Sequence, residues 1–212
     1  MSAREEVLAA VGSALGPDPH GASQVPRGYR AAGLVPAGSP ELVELFCERV
    51  ADYKAEVHRV SGTDELPAAL AAVCAARGSS RILRAPAADW DIDGAEVRPD
   101  SPHLSPQDLD AVDAALTGCA LAIAETGTLV LDGGPLSGRR ALTLVPDHHI
   151  CVVRPDQVVA NVPDAIDQLA DAARAGRPLT FVSGPSATSD IELQRVEGVH
   201  GPRMLDVVTL EL

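Results

Sequence analysis

The chain has 212 residues, room for one sizeable α/β domain and too few for two. Apolar residues make up 46% of it, yet only Tyr29, Phe46, Tyr53, Trp90 and Phe181 are aromatic, so the core is expected to be aliphatic and rich in alanine. Thirty acidic residues against 17 basic ones give a formal charge of −13, which repels nucleic acid and anionic membrane, and no Lys/Arg cluster offsets it.

Residues 2–15 carry Val7, Leu8, Val11 and Leu15 at helical spacing and stop at Gly16-Pro17. They do not read as a signal peptide, because the apolar run is broken and holds two Glu. Residues 16–39, with four prolines, read as a long irregular connection, so 1–38 is expected to be a helix plus an arm and 39–212 a single α/β domain. Ser39-Pro40 opens a helix with one apolar stripe, Leu42, Val43, Phe46 and Val50. "EVHRV" (56–60) reads as a strand, and Thr63 opens a helix to about Arg77. "RILRA" (81–85) and "AEVRP" (95–99) are short strands. Ser105-Pro106-Gln107-Asp108 is a capping box, and its helix is expected to run to about Leu116.

"CALAIAE" (119–125) has the uniform apolarity of a strand covered on both faces. "GTLVLD" (127–132) and "RALTLV" (140–145) look like strands joined by the Gly133–Gly138 turn, a hairpin-like addition. "HICVVR" (149–154) is another buried strand, and a helix is expected from about Val162 to Ala175. "LTFVS" (179–183) and "MLDVVTLEL" (204–212) complete the strands. The alternation of strand and helix predicts a mostly parallel sheet between helical layers, a three-layer α/β/α fold.

Ligands of open α/β sheets sit outside the carboxyl ends of strands, so three polar, glycine-bearing segments draw attention. In Glu125-Thr126-Gly127-Thr128 the carboxylate is a candidate general base or nucleophile, and Gly127 would let a ligand approach the backbone. Without a ligand, Glu125 would only bond loop amides. In Ser183-Gly184-Pro185-Ser186-Ala187-Thr188-Ser189-Asp190-Ile191-Glu192 four hydroxyls and an acid precede an expected short helix, whose amides attract anions, while Asp190 and Glu192 would oppose a bare phosphate unless they orient donors or hold a cation. The plainer reading is a helix cap at Thr188 or Ser189. Neither G-x-x-x-x-G-K-[ST] nor G-x-G-x-x-G is present. In Gly198-Val199-His200-Gly201-Pro202-Arg203, His200 and Arg203 are the natural anion partners, unless this is only a surface turn.

Asp147-His148-His149-x-Cys151 invites a metal reading that strand geometry weakens, because adjacent histidines face opposite ways. His149 and Cys151 alone are too few for a structural zinc. Arg139-Arg140 either meets an acidic ligand or ends a solvated hairpin. The four cysteines are scattered without a C-x-x-C, the usage of a reducing compartment; no stretch approaches the ~20 apolar residues of a membrane span, and a cytoplasmic location is expected.

"AIAETGTLVLDGGPLSGRRALTLVPDHHICVV", "TFVSGPSATSDIELQRVEGVHGPR" and "ELVELFCERVADYKAEVHRV" together resemble the lactate-utilization protein C (LutC/YkgG) family of LUD-domain proteins, over about residues 24–212. The resemblance implies a fold of the NagB/RpiA/CoA-transferase class. It also implies a role in oxidising L-lactate to pyruvate with iron–sulfur oxidoreductase partners that carry the clusters. This chain has no Cys-rich run to hold one, so no cofactor of its own is expected. The alternative is a standalone binder or enzyme for a CoA ester, nucleotide or sugar phosphate. There Glu125 would do the chemistry and Ser186, Thr188 and Arg203 would hold the anion.

Overall fold

The computed structural model describes residues 2–16, 26, 28, 33, 35–188, 196–198 and 200–211, and the chain divides into two units, residues 1–31 and 32–212. In the first, helix α1 (Ala3–Leu15) starts at a reciprocal cap: the Glu5 amide donates to Ser2 Oγ, and the Ser2 amide donates to Glu5 Oε2. Its apolar residues Val7, Leu8, Val11 and Leu15 are all exposed.

The second unit begins with α2 (Pro40–Asp52), β1 (Glu56–Val60), α3 (Leu66–Arg77), β2 (Arg81–Arg84), β3 (Glu96–Pro99) and the short α4 (Pro106–Asp110). Then come β4 (Ala114–Gly118), β5 (Leu121–Ile123), β6 (Thr128–Leu131), β7 (His148–Val153) and β8 (Val158–Val159). Helix α5 (Val162–Arg174), β9 (Thr180–Val182), β10 (Ala187–Thr188), β11 (Val196–Glu197) and β12 (Met204–Leu210) complete it. Six strands pair in the order β1-β12-β7-β4-β2-β3, and every link is parallel.

Side-chain alternation sorts this sheet's faces. Ile150 and Val152 of β7 join Val208 and Leu210 of β12 under Leu66, Leu70 and Val73 of α3. Their neighbours Cys151, Val153, Leu205 and Val207 pack against Leu42, Phe46, Cys47 and Val50 of α2. Helices thus cover both faces, and the sandwich is the expected three-layer α/β/α arrangement. Helix α2 starts where the sequence predicts, with Ser39 Oγ accepting from the Leu42 amide and Pro40 in the first turn.

A second sheet, β8-β5-β6-β9, lies beside α2. Its Ala122, Leu129, Leu131 and Val158 face the α2 core, and its Leu121, Ile123, Val130 and Val159 face Ala165 and Leu169 of α5. The antiparallel element is therefore β5–β6 with β9, not a 127–145 hairpin.

Three local expectations are corrected. The helix opened by Ser105 ends at Asp110, and Ala114–Gly118 is a fully buried strand between β2 and β7. An alanine-rich strand covered on both faces carries no period-two signal, and its Leu109, Val112, Leu116 spacing imitates a helix. Residues 140–145 form no strand; they turn, with the Leu142 amide donating to the Arg139 carbonyl and Val145 to Ala141, while Leu142 is buried beside Leu83 and Leu109. The strand expected at 179–183 is the shorter Thr180–Val182, at the edge of its sheet with Phe181 exposed.

Candidate functional site

The three polar segments meet. Thr126 Oγ1 lies 2.7 Å from Thr128 Oγ1, which lies 2.7 Å from Ser183 Oγ, so a chain of hydroxyls joins the first segment to the second. Ser186 joins the second to the third: its amide donates to the Pro202 carbonyl (2.8 Å), and its Oγ accepts from the His200 amide (3.1 Å). Beyond Ser186 the chain forms the β10–β11 ribbon, with Thr188 opposite Val196. Asp190 and the expected short helix lie outside the described residues.

The second and third segments line an open cavity of about 220 Å³, and Thr126, Gly127 and Thr128 of the first do not reach it. Ser183, Gly184 and Ser186 form one wall and His200 through Pro202 another. Phe181, Val182 and Leu205 supply apolar surface, and Arg140, Thr143 and His149 complete it. His149 and Leu205 are each the second residue of their strand, so the cavity opens at the amino ends of β7 and β12. Ser183 and Gly184 do follow the carboxyl end of a strand, but that strand, β9, belongs to the second sheet and meets the parallel sheet at the amino ends of β7 and β12.

Neither Glu125 nor Arg203 lines the cavity. Glu125 is exposed, and its amide donates to the Ala160 carbonyl. Arg203 Nε donates to Asp147 Oδ1 at 2.6 Å on the surface. The two motif glycines make room for α2. Gly127 has φ +57°, and a Cβ there would stand 2.5 Å from the Arg49 carbonyl carbon and the Val50 nitrogen. Gly184 has φ +138°, and a Cβ there would stand 2.6 Å from the Tyr53 carbonyl oxygen at the end of the same helix. Only glycine permits both the backbone angle and the contact.

The Arg139-Arg140 pair divides. Arg139 donates from Nε and Nη2 to both oxygens of the buried Asp100 (2.8 and 2.9 Å), a structural fork. Arg140, half-buried, donates from Nη1 to the Thr143 carbonyl and Oγ1 and from Nη2 to the His200 carbonyl. Among the described residues no carboxylate pairs with it. The Gly-Arg-Arg run after the 133–138 turn was the one sequence signal for this residue, and a strand reading concealed its direction.

His148 and His149 do face opposite sides of the sheet. His148 is buried on the α3 side, its Nε2 3.0 Å from Asp206 Oδ2 and its Nδ1 3.0 Å from Ser79 Oγ. Asp206 also receives His58 Nε2 (2.6 Å) and Arg77 Nε (3.1 Å). Burial raises its pKa, but the bonds from His148 and His58 and the charge of Arg77 outweigh this and hold it well below the usual carboxylate range. His149 is 2% exposed on the cavity side, with Nε2 2.8 Å from Thr117 Oγ1. Burial, then the charges of His148 and Arg140, push its pKa down to about 3, so the ring is neutral at physiological pH. The four cysteines are buried free thiols. Among the described residues no helix is long and apolar enough to cross a membrane, and no group of three or more His, Cys, Asp or Glu could hold a metal ion.

A parallel six-stranded sheet clad by helices, with a small cavity of mixed walls where a second sheet meets the amino ends of its inner strands β7 and β12, defines an α/β domain built around a pocket. The chain belongs to the LUD domain family, whose model matches residues 43–210. Lactate utilization protein C of Deinococcus radiodurans is 51% identical over 178 residues, 82% of each chain. Another lactate utilization protein C, from Geobacillus kaustophilus, is 33% identical over 132 residues, 59% of this chain and 53% of that one. The crystal structure of a DUF162 family protein from D. radiodurans is similar with a TM-score of 0.66 at 43% identity, covering 80% of this chain and 96% of that one.

Proposed function

We propose that this chain is a cytoplasmic subunit of a system that oxidises L-lactate to pyruvate, acting with iron–sulfur oxidoreductase partners and holding no cluster itself. The observation that carries the reading is the 51% identity, over 82% of both chains, to a protein named for lactate utilization. The thiols support the division of labour. A four-thiolate cluster needs its ligands in one shell, and here Cys47 and Cys74 lie in cores on opposite faces of the sheet. Buried unpaired thiols also suit a reducing compartment.

The test is reconstitution. Iron–sulfur partners encoded beside this chain are expected to co-purify with it, and lactate oxidation is expected to fall when it is omitted. Oxidation undiminished without the chain refutes a required role.

The cavity favours a second reading, a standalone binder or enzyme for an anionic small molecule, with Arg140 in the place expected for Arg203. At about 220 Å³ the cavity is smaller than the 300–1,000 Å³ usual for drug-sized ligands, so a CoA ester, nucleotide or sugar phosphate would place only one end inside. A thermal-shift screen across these classes decides; no shift with any of them removes this reading.

A further inference from the structure

The geometry points to a binding site in this chain for a short monocarboxylate bearing an oxygen on carbon 2, a 2-hydroxy or 2-oxo acid, with Arg140 holding the carboxylate and His149 reading the neighbouring oxygen. The inference deepens the lactate reading and rests on it for the choice among such acids, but the site is argued from its own walls.

Size comes first. A volume of about 220 Å³ corresponds to about seven waters at about 30 Å³ each. A ligand of six or so heavy atoms fits with a bridging water.

Charge comes next. Arg140 is the one arginine or lysine among the described cavity walls. Its described hydrogen bonds use Nη1 twice and Nη2 once, all to neutral oxygens. A guanidinium has five N–H donors, so Nε–H and the second Nη2–H remain. Arg139 turns that same pair of donors on the carboxylate of Asp100. One cation with a two-pronged edge, in a chain of net charge −13, suits a monoanionic carboxylate better than a phosphate dianion.

The third observation is an open polar atom. His149 is 2% exposed, and its Nε2 is engaged by Thr117. No described hydrogen bond involves Nδ1, yet among the described residues no buried side-chain nitrogen or oxygen lacks a partner. Nδ1 therefore opens into the cavity that the ring lines. The neutral ring serves either oxidation level. When the Thr117 hydroxyl donates to Nε2, Nδ1 carries the proton and donates to a carbonyl; when Nε2 donates to Thr117, Nδ1 accepts from a hydroxyl. Val182, Leu205 and Phe181 leave an apolar wall for a short alkyl group.

The experiment is titration calorimetry on the full chain with L-lactate, pyruvate, propionate and inorganic phosphate. L-Lactate or pyruvate is expected to bind at least ~10-fold more tightly than propionate, the equivalent of one good hydrogen bond to the ring. Phosphate is expected to bind most weakly. Arg140→Gln is expected to abolish carboxylate binding and Arg140→Lys to restore part of it; this half-buried side chain is replaceable without opening the core. His149→Gln is expected to level L-lactate, pyruvate and propionate. Propionate binding as well as pyruvate, phosphate binding best, affinity unchanged in Arg140→Gln, or no carboxylate binding at all overturns the site. The two readings separate. A chain that binds none of these acids yet is required for lactate oxidation loses the site and keeps the system. A chain that binds pyruvate yet is dispensable for lactate oxidation does the reverse.

Discussion

The His149 ring couples the site to the stability of the fold. In the folded chain its pKa is pushed down to about 3; unfolded, it returns to 6.5. Between those values the unfolded chain binds a proton that the folded chain refuses, so stability is lost as pH falls. This contribution is whole above pH 6.5 and disappears progressively towards pH 3. One pKa unit is worth about 1.4 kcal/mol, so acidifying from pH 7 to pH 5 removes about 2 kcal/mol. For a chain of this size that is a fall of about 4–8 °C in Tm. Ordinary carboxylates titrate below this window, and the Asp206 contribution, lost only below the normal aspartate range, does not enter it. His149→Asn keeps a partner for Thr117 and removes the titration. Its absolute stability drops through lost packing, so the readout is the slope: urea denaturation at pH 5, 6 and 7 should give a line flatter than the parent's by about 2 kcal/mol over the range. Parent and variant losing stability in parallel would refute the reasoning, by showing that the ring is protonated in the folded chain or is not buried.

Gly127→Ala forces a left-handed angle on an alanine and drives its Cβ into the α2 backbone; a loss of about 2–5 kcal/mol is expected from strain and overpacking together, and a variant as stable as the parent by urea denaturation would refute the close packing of this turn on α2. Asp206→Ala leaves His148 and Arg77 without their buried carboxylate and is expected to cost about 3–5 kcal/mol; a loss under 1 kcal/mol in the same assay rejects the network as a stabilising unit. Phe46→Ala, at a fully buried position where α2 meets both sheets, is expected to cost about 3–5 kcal/mol, and a smaller loss would mean that the core refills.

Much of the fold was legible because its signals are local. Ser39-Pro40 and Ser105-Pro106 fix helix starts through bonds spanning three residues, and the apolar runs of β7 and β12 leave few alternatives to a buried strand. The β4 segment was misread because an alanine-rich strand between two others has no period of its own, and its packing partners lie far along the chain. The site was legible in part. The three polar segments do come together, but the residues with the strongest chemistry in isolation, Glu125 and Arg203, are not those that line the cavity. An arginine's role depends on which carboxylate reaches it first: Arg203 meets Asp147 and Arg139 meets Asp100, while Arg140 meets neither.

The sequence by itself determined the strand and helix alternation, the aliphatic core, the opposed faces of His148 and His149 and the family, because each follows from residue type and short-range spacing. Only the tertiary structure decided that the motif glycines yield space to α2, that the cavity opens at the amino ends of the parallel strands, and that Arg140 and His149 share it. The physical reason is that these facts are contacts between segments tens of residues apart. They exist only after the second sheet has closed against the first, and no local pattern encodes which groups are then left without a partner.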